Sequence, residues 1–155
     1  MSDKLTEYIE NEISKIKRVE FPYEKTQDGS LKLSMQKVLE FAQGKISEAE
    51  LNDSKKEIVS IENKVKAVEN IEDHYVAIEK WNHLLGNMVN ELDERGAILA
   101  YQDLITRYRE TNQYEKELQA SFEIYGKLGV TDNSLDKYWR EKQLMKKIGL
   151  DKEIA

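Results

Sequence analysis

Cysteine is absent from the 155-residue chain, and turn-forming residues are scarce, with one proline and seven glycines. Without cysteine the chain has no disulfide bond, no thiolate metal ligand and no cysteine nucleophile. So few proline and glycine residues disfavour a sheet of many short strands. The sequence also lacks an uncharged apolar run of about 18 residues, so we expect no membrane-spanning helix.

Charged residues make up 35% of the chain, and 30 acids against 24 bases give a net charge of −6. This balance argues against a nucleic-acid-binding protein, which usually carries a basic face. The acidic excess is concentrated between Glu40 and Glu79, where ten acids stand against five bases. The first residues, MSDKLTEYIENE, have acids where a signal peptide has a basic and then an apolar run, which predicts a cytoplasmic protein. Lysine outnumbers arginine by 19 to 5, as is typical of a low-GC genome.

Apolar residues recur at helical spacing along most of the chain and predict an all-α fold. We expect residues 1–155 to form a single domain, a bundle of about six to seven helices. The pattern divides it into a long loop at about 19–30, a coiled-coil-like region at about 47–95, a helical hairpin at about 97–129 and a C-terminal helix at about 134–149. Ser47 and Glu50 form a capping box that predicts a helix start. Gly44, Gly96 and Gly149 predict helix ends.

Residues 51–92 carry an apolar seam whose members stand three or four residues apart. A second three-residue step from Val68 to Ile71 indicates either one overwound helix or a break capped near Asn70 and Asp73, and we favour two antiparallel helices. The seam is longer than a small bundle needs, so we expect surplus apolar surface and an interface, with a homodimer as its leading form. The predicted interface combines seam positions with aromatic residues: Ile58, Ile61, Val65, Val68, Tyr75, Trp81, Tyr138 and Trp139.

Two pairs of glutamates stand three residues apart, Glu69 with Glu72 and Glu91 with Glu94. Carboxylates at this spacing on a helix face the same side and can share a metal ion. The pattern resembles the paired acidic motif of all-α nucleotide pyrophosphohydrolases, which implies magnesium-assisted attack on a triphosphate. That family ends its motif with aspartate where this chain has Glu94. The alternative interpretation is that all four carboxylates are solvated.

Large residues recur across the predicted hairpin at Leu104, Tyr108, Tyr114 and Leu118. Their spacing resembles one tetratricopeptide-type helical hairpin, which implies a peptide-binding regulator. The repeat has small residues where this chain has Ile105, Glu117 and Ile124. At least three stacked repeats are expected for a stable array, and the sequence contains no second copy.

Catalytic motifs are missing from the sequence. There is no P-loop and no Gly-x-Ser-x-Gly pattern, and His74 and His83 are the only histidines. We therefore expect no catalytic residues, no metal and no cofactor. The favoured function is a non-catalytic helical protein–protein interaction module, an adaptor, regulator or inhibitor, whose partner is another protein or a second copy of the chain. The pyrophosphohydrolase and the tetratricopeptide-like regulator are the alternatives. A further alternative is an adaptor whose acidic middle covers a basic partner, which predicts salt-sensitive binding.

Overall fold

The computed structural model describes residues 4–21, 35–130, 135–150 and 152, with the side chains of 35–38, 51, 54–58 and 135–139 outside the description. This described part is all-α, as predicted, with no strand and eight helices of four or more residues. The helices are α1 Lys4–Ser14, α2 Met35–Ala42, α3 Glu48–Glu69, α4 His74–Gly86, α5 Met88–Glu91, α6 Glu94–Glu110, α7 Tyr114–Leu128 and α8 Leu135–Lys147. Of the predicted loop at 19–30, residues 22–30 lie outside the described residues.

Side-chain caps divide residues 47–95 into separate helices. Ser47 begins α3, because its side chain accepts a hydrogen bond from the Glu50 backbone N–H at 3.1 Å. Asp73 begins α4 by accepting from the backbone N–H groups of Tyr75 and Val76 at 2.9 and 3.2 Å. The predicted helix start at Ser47 and the break near Asn70 are therefore confirmed. After the break the chain forms α4 and the single turn α5.

Gly96 does not end a helix, contrary to the prediction. It lies in the first turn of α6, where its backbone N–H donates to the cap residue Asp93 at 2.7 Å. A Cβ atom at this position would lie 2.9 Å from Asp93 Oδ1 and 3.3 Å from Ile61 Cγ2. Glycine is therefore required here because α3 and the start of α6 approach closely, and not because the helix stops.

The larger of two apolar cores lies between α3, α4, α6 and α7. Ile61, Val65 and Val68 contribute the buried stripe of α3, at the four- and three-residue steps of the predicted seam. Trp81 of α4 is fully buried, and Tyr101 of α6 is 2% exposed. Burial raises the pKa of the Tyr101 phenol. Residues 15–21, which follow α1, close one side of this core. Phe21 packs against it, and the Val19 backbone N–H donates to the Lys127 carbonyl at 2.7 Å.

Helix α7 separates the two cores because it carries apolar residues on two faces. Ala120, Ile124 and Leu128 face the larger core, whereas Leu118 and Phe122 face a smaller one. The smaller core is completed by buried residues from α1 and α8: Ile9, Leu144 and Met145. The helices thus stack in the order α4, α6, α7 and α8. Helix α3 packs against α4 and α6 at one end of the stack, and α1 packs against α7 and α8 at the other.

Candidate functional site

A groove of about 740 Å³ lies between α3 and α4 at the elbow where the chain passes from one helix to the other. Lys64, Ala67 and Val68 form the α3 wall, and Ile71 of the connecting turn lies at the closed end. The α4 wall is formed by Val76, Glu79, Lys80, His83 and Leu84. We call this feature the elbow groove. Its lining is mostly apolar with a few charged side chains, and its volume lies in the usual range of protein binding sites.

A buried arginine fixes the two walls of the elbow groove to α6. The Arg107 guanidinium donates to the Glu69 carbonyl at the end of α3, to His74 Nδ1 at the start of α4, and to Asp103 Oδ2, at 3.1, 3.2 and 3.3 Å. Trp81 Nε1 donates to the same Asp103 oxygen at 2.7 Å. Because a guanidinium has only donors, His74 Nδ1 accepts and carries no proton in this arrangement. These hydrogen bonds therefore hold the elbow on the side that faces α6, and they do not involve the residues that line the groove.

An ion pair holds α5 to the α3 wall. Lys64 Nζ donates to Glu91 Oε2 at 2.8 Å and to the Glu91 carbonyl at 3.3 Å. The positive charge of Lys64 is thus paired with the Glu91 carboxylate of the same chain. Both side chains are about one-third exposed, so solvent screens the pair and its contribution to stability is small.

We expect the pKa of the Glu91 carboxyl to lie below its ordinary value of 4.5, because Lys64 donates a hydrogen bond to the carboxylate and places a positive charge beside it. A folded-state pKa below the unfolded one adds stability at higher pH that is lost as pH falls through the folded value. An NMR titration of the side-chain carboxyl measures this pKa, and Lys64→Met is expected to raise it towards the ordinary range. An unchanged Glu91 pKa in Lys64→Met would contradict the pairing.

The predicted interface residues occupy different environments. Four are buried inside one chain, at 8% exposure or less: Ile61, Val65, Val68 and Trp81. Tyr75 is the exception, with two-thirds of its surface exposed on the first turn of α4. The side chains of Ile58, Tyr138 and Trp139 lie outside the described residues. Self-association through the seam stays a prediction, and it would require buried seam residues to leave the core.

The glutamate pairs behind the pyrophosphohydrolase resemblance do not share helix faces. Glu69 ends α3 while Glu72 lies in the turn that follows, and Glu91 ends α5 while Glu94 begins α6. Glu91 forms an ion pair with Lys64, and Glu94 Oε1 lies 3.7 Å from the Arg18 guanidinium nitrogen Nη2. Among the described residues, no three acidic or histidine side chains converge as metal ligands. The metal-dependent alternative therefore stays a prediction without a ligand set in this part of the chain.

Sequence reasoning did not identify an ion-pair cluster around the buried Glu117 carboxylate. Glu117 of α7 is 1% exposed and accepts two hydrogen bonds from Arg140 of α8, at 2.8 and 2.6 Å, and two longer ones from Arg109 of α6, both at 3.3 Å. The hydrogen bonds to Glu117 raise the pKa of the Arg140 guanidinium. The only signal in the sequence is that Glu117 occupies a position where a tetratricopeptide repeat has a small residue. The cluster is enclosed by three helices, which indicates a structural role.

The tyrosines of the predicted hairpin also serve the core. Tyr101 and Tyr108 are buried, and the Tyr108 hydroxyl accepts a hydrogen bond from Asn82 at 3.0 Å. Tyr114 and Tyr125 are half-buried. These tyrosines join α6 and α7 to their neighbours and do not present a row of free hydroxyls.

Comparison of the chain with protein-family models, curated proteins and solved structures finds no match. None of the helices in the described ranges combines the length and apolarity needed to cross a membrane.

Proposed function

We propose that this chain is a non-catalytic protein-interaction module that holds a helical segment of a partner in the elbow groove. The observation that carries the proposal is an apolar groove between two helices whose hydrophobic side chains extend to the surface. Val76 lines the groove at 42% exposure, and its neighbour Tyr75 is 66% exposed. An apolar centre with a charged rim is the usual anatomy of a protein interface.

The shape of the groove favours a helix as its occupant. Two packed helices leave between them a channel into which a row of side chains at positions i, i+3, i+4 and i+7 can insert. Ala67 leaves space in the groove beside α3, because its side chain is small and exposed. The Arg107 hydrogen bonds hold both walls before binding, which reduces the ordering cost of association.

The partner is another protein, or a second copy of this chain as in the predicted homodimer. We place the interaction in the cytoplasm, as the acidic N-terminal sequence predicts. No enzymatic activity is part of the proposal.

Site-specific photo-crosslinking tests the proposed function. A benzoylphenylalanine replaces Lys80, which is exposed on the groove rim, and the full-length chain is irradiated in an extract of its source cell. We expect one discrete adduct, because the probe faces the partner. Adding Ala67→Trp is expected to abolish this adduct, since the indole fills the groove from an exposed position without disturbing the core.

The matched control carries the same probe at Gln119, an exposed position on α7. No adduct is expected there. An adduct of twice the chain mass would identify a second copy as the occupant, whereas any other mass identifies a different protein. Equal yields from Lys80 and Gln119, or a yield at Lys80 that Ala67→Trp leaves unchanged, would contradict the elbow groove as the binding site.

A further inference from the structure

We infer that the segment bound in the elbow groove is basic and amphipathic, with lysine or arginine side chains flanking one apolar stripe. This inference rests on the proposed function, because it names the chemistry of the partner that the groove accepts.

The negative charge is concentrated on one part of the molecule. Residues 40–79 have ten acids and five bases, a net charge of −5 out of the chain total of −6. These residues form the end of α2, all of α3, the elbow and the first half of α4. Their acids are largely exposed, among them Glu48, Asp53, Glu62, Glu69, Glu72 and Glu79. The rest of the chain is close to neutral, so this surface sets the electrostatic preference of the molecule.

The exposed apolar residues lie on the same part of the chain. The large hydrophobic side chains that are exposed in the described ranges are Leu39, Phe41, Val59, Tyr75 and Val76. Of these, Val76 lines the groove and Tyr75 is its neighbour in the chain, whereas Leu39, Phe41 and Val59 are outside the groove lining. Exposed apolar residues on a segment with an excess of acids fit a partner with an apolar stripe and basic charges. A basic amphipathic helix has this composition.

The charges nearest the groove support the same choice. Glu79 lines the groove, and Glu72 adjoins Ile71 in the elbow turn. Of the two lysines in the lining, Lys64 is neutralised by Glu91 at 2.8 Å, which leaves Lys80. Lys66 lines a separate groove that α3 forms with α6. Glu79 and Lys80 therefore balance within the lining, and Glu72 beside it gives a local excess of one acid. The acids farther along α3 add to the negative potential that steers the approach of the partner, an effect that weakens as salt is raised.

Two synthetic peptides test the inference on the purified full-length chain. Each has about 18 residues, enough for five helical turns, with leucines at i, i+3, i+4 and i+7. One has lysine and the other glutamate at every remaining position, and both carry a fluorescent label for anisotropy titrations. We expect the Leu/Lys peptide to bind at least about tenfold more tightly than the Leu/Glu peptide, and to lose affinity as salt is raised.

Matched charge variants separate the groove from net charge. Glu72→Lys with Glu79→Lys reverses the charge beside the groove, whereas Glu110→Lys with Glu115→Lys makes the same change at exposed positions on α6 and α7. The first pair is expected to reverse the peptide preference, and the second to leave Leu/Lys preferred. Equal effects of the two pairs would overturn the inference, because they would indicate non-specific attraction.

The outcomes also separate the inference from the proposed function. If both peptides bound equally and Ala67→Trp abolished the binding, the inference that the bound segment is basic would be wrong, but the elbow groove would be supported as a helix-binding site. Tighter binding of the Leu/Glu peptide, if Ala67→Trp also abolished it, would likewise contradict a basic segment and support the elbow groove as the binding site. Binding of neither peptide would contradict the elbow groove as a helix-binding site, and the inference with it.

Discussion

Replacing Trp81 with alanine is expected to lower the free energy of unfolding by about 3–5 kcal/mol, the usual cost of removing a large aromatic residue from a core. Trp81 is fully buried, and its Nε1 donates at 2.7 Å to Asp103, which also accepts from Arg107. A single domain has about 5–15 kcal/mol of stability in total, so this change removes a large part of it. Urea denaturation followed by circular dichroism measures the difference.

Trp81→Phe serves as the control because it keeps most of the ring volume and removes the N–H donor. We expect it to cost about 1–2 kcal/mol, from partial loss of packing and of the hydrogen bond. If Trp81→Ala lost less than about 1 kcal/mol, the placement of α4 against α6, and with it the α4 wall of the elbow groove, would be wrong.

Replacing Arg140 with methionine is expected to lower the free energy of unfolding by about 3 kcal/mol, because it leaves a buried carboxylate without its closest donors. Glu117 is 1% exposed, and both of its short hydrogen bonds come from Arg140, at 2.8 and 2.6 Å. Arg109 remains, but it is half-exposed and its contacts are 3.3 Å long. Thermal and urea denaturation of the variant measure the loss.

Two further variants show whether the charge left behind is the cause. Arg109→Met is expected to cost about 1 kcal/mol or less, as for a largely solvated ion pair. Glu117→Leu combined with Arg140→Met is expected to be more stable than Arg140→Met alone, since no buried carboxylate is left with too few donors. A double variant less stable than Arg140→Met would contradict this explanation.

Much of the fold follows from local patterns in the sequence. The spacing of apolar residues predicts the helices, and the cap at Ser47 predicts where α3 begins, because hydrogen bonds between neighbouring residues fix that point. The break near Asn70 is predicted as well, although the cap of α4 is Asp73. The prediction for Gly96 is wrong because a glycine that permits close packing and a glycine that ends a helix are identical in a sequence. Only the distance from Ile61 and Asp93 distinguishes them.

The parts that could not be predicted depend on contacts between distant residues. The apolar stripe of Ile61, Val65 and Val68 requires a cover, but a second copy and the α6 helix of the same chain satisfy that requirement equally well. Glu117 is surrounded by arginines 8 and 23 residues away, and a charged residue is otherwise expected to be exposed. The elbow groove depends on how α3 and α4 meet, and there Arg107 of α6 donates to the end of α3 and contacts the start of α4.

Hydrogen–deuterium exchange of the full-length chain tests the binding role of the elbow groove most directly. The chain is compared alone and with the tighter-binding of the Leu/Lys and Leu/Glu peptides, and exchange is resolved by fragment. We predict slower exchange in fragments covering residues 64–84, which contain the groove lining, and no change in residues 114–128 of α7. Protection confined to α7, or spread evenly over the chain, would contradict the elbow groove as the site where the partner binds.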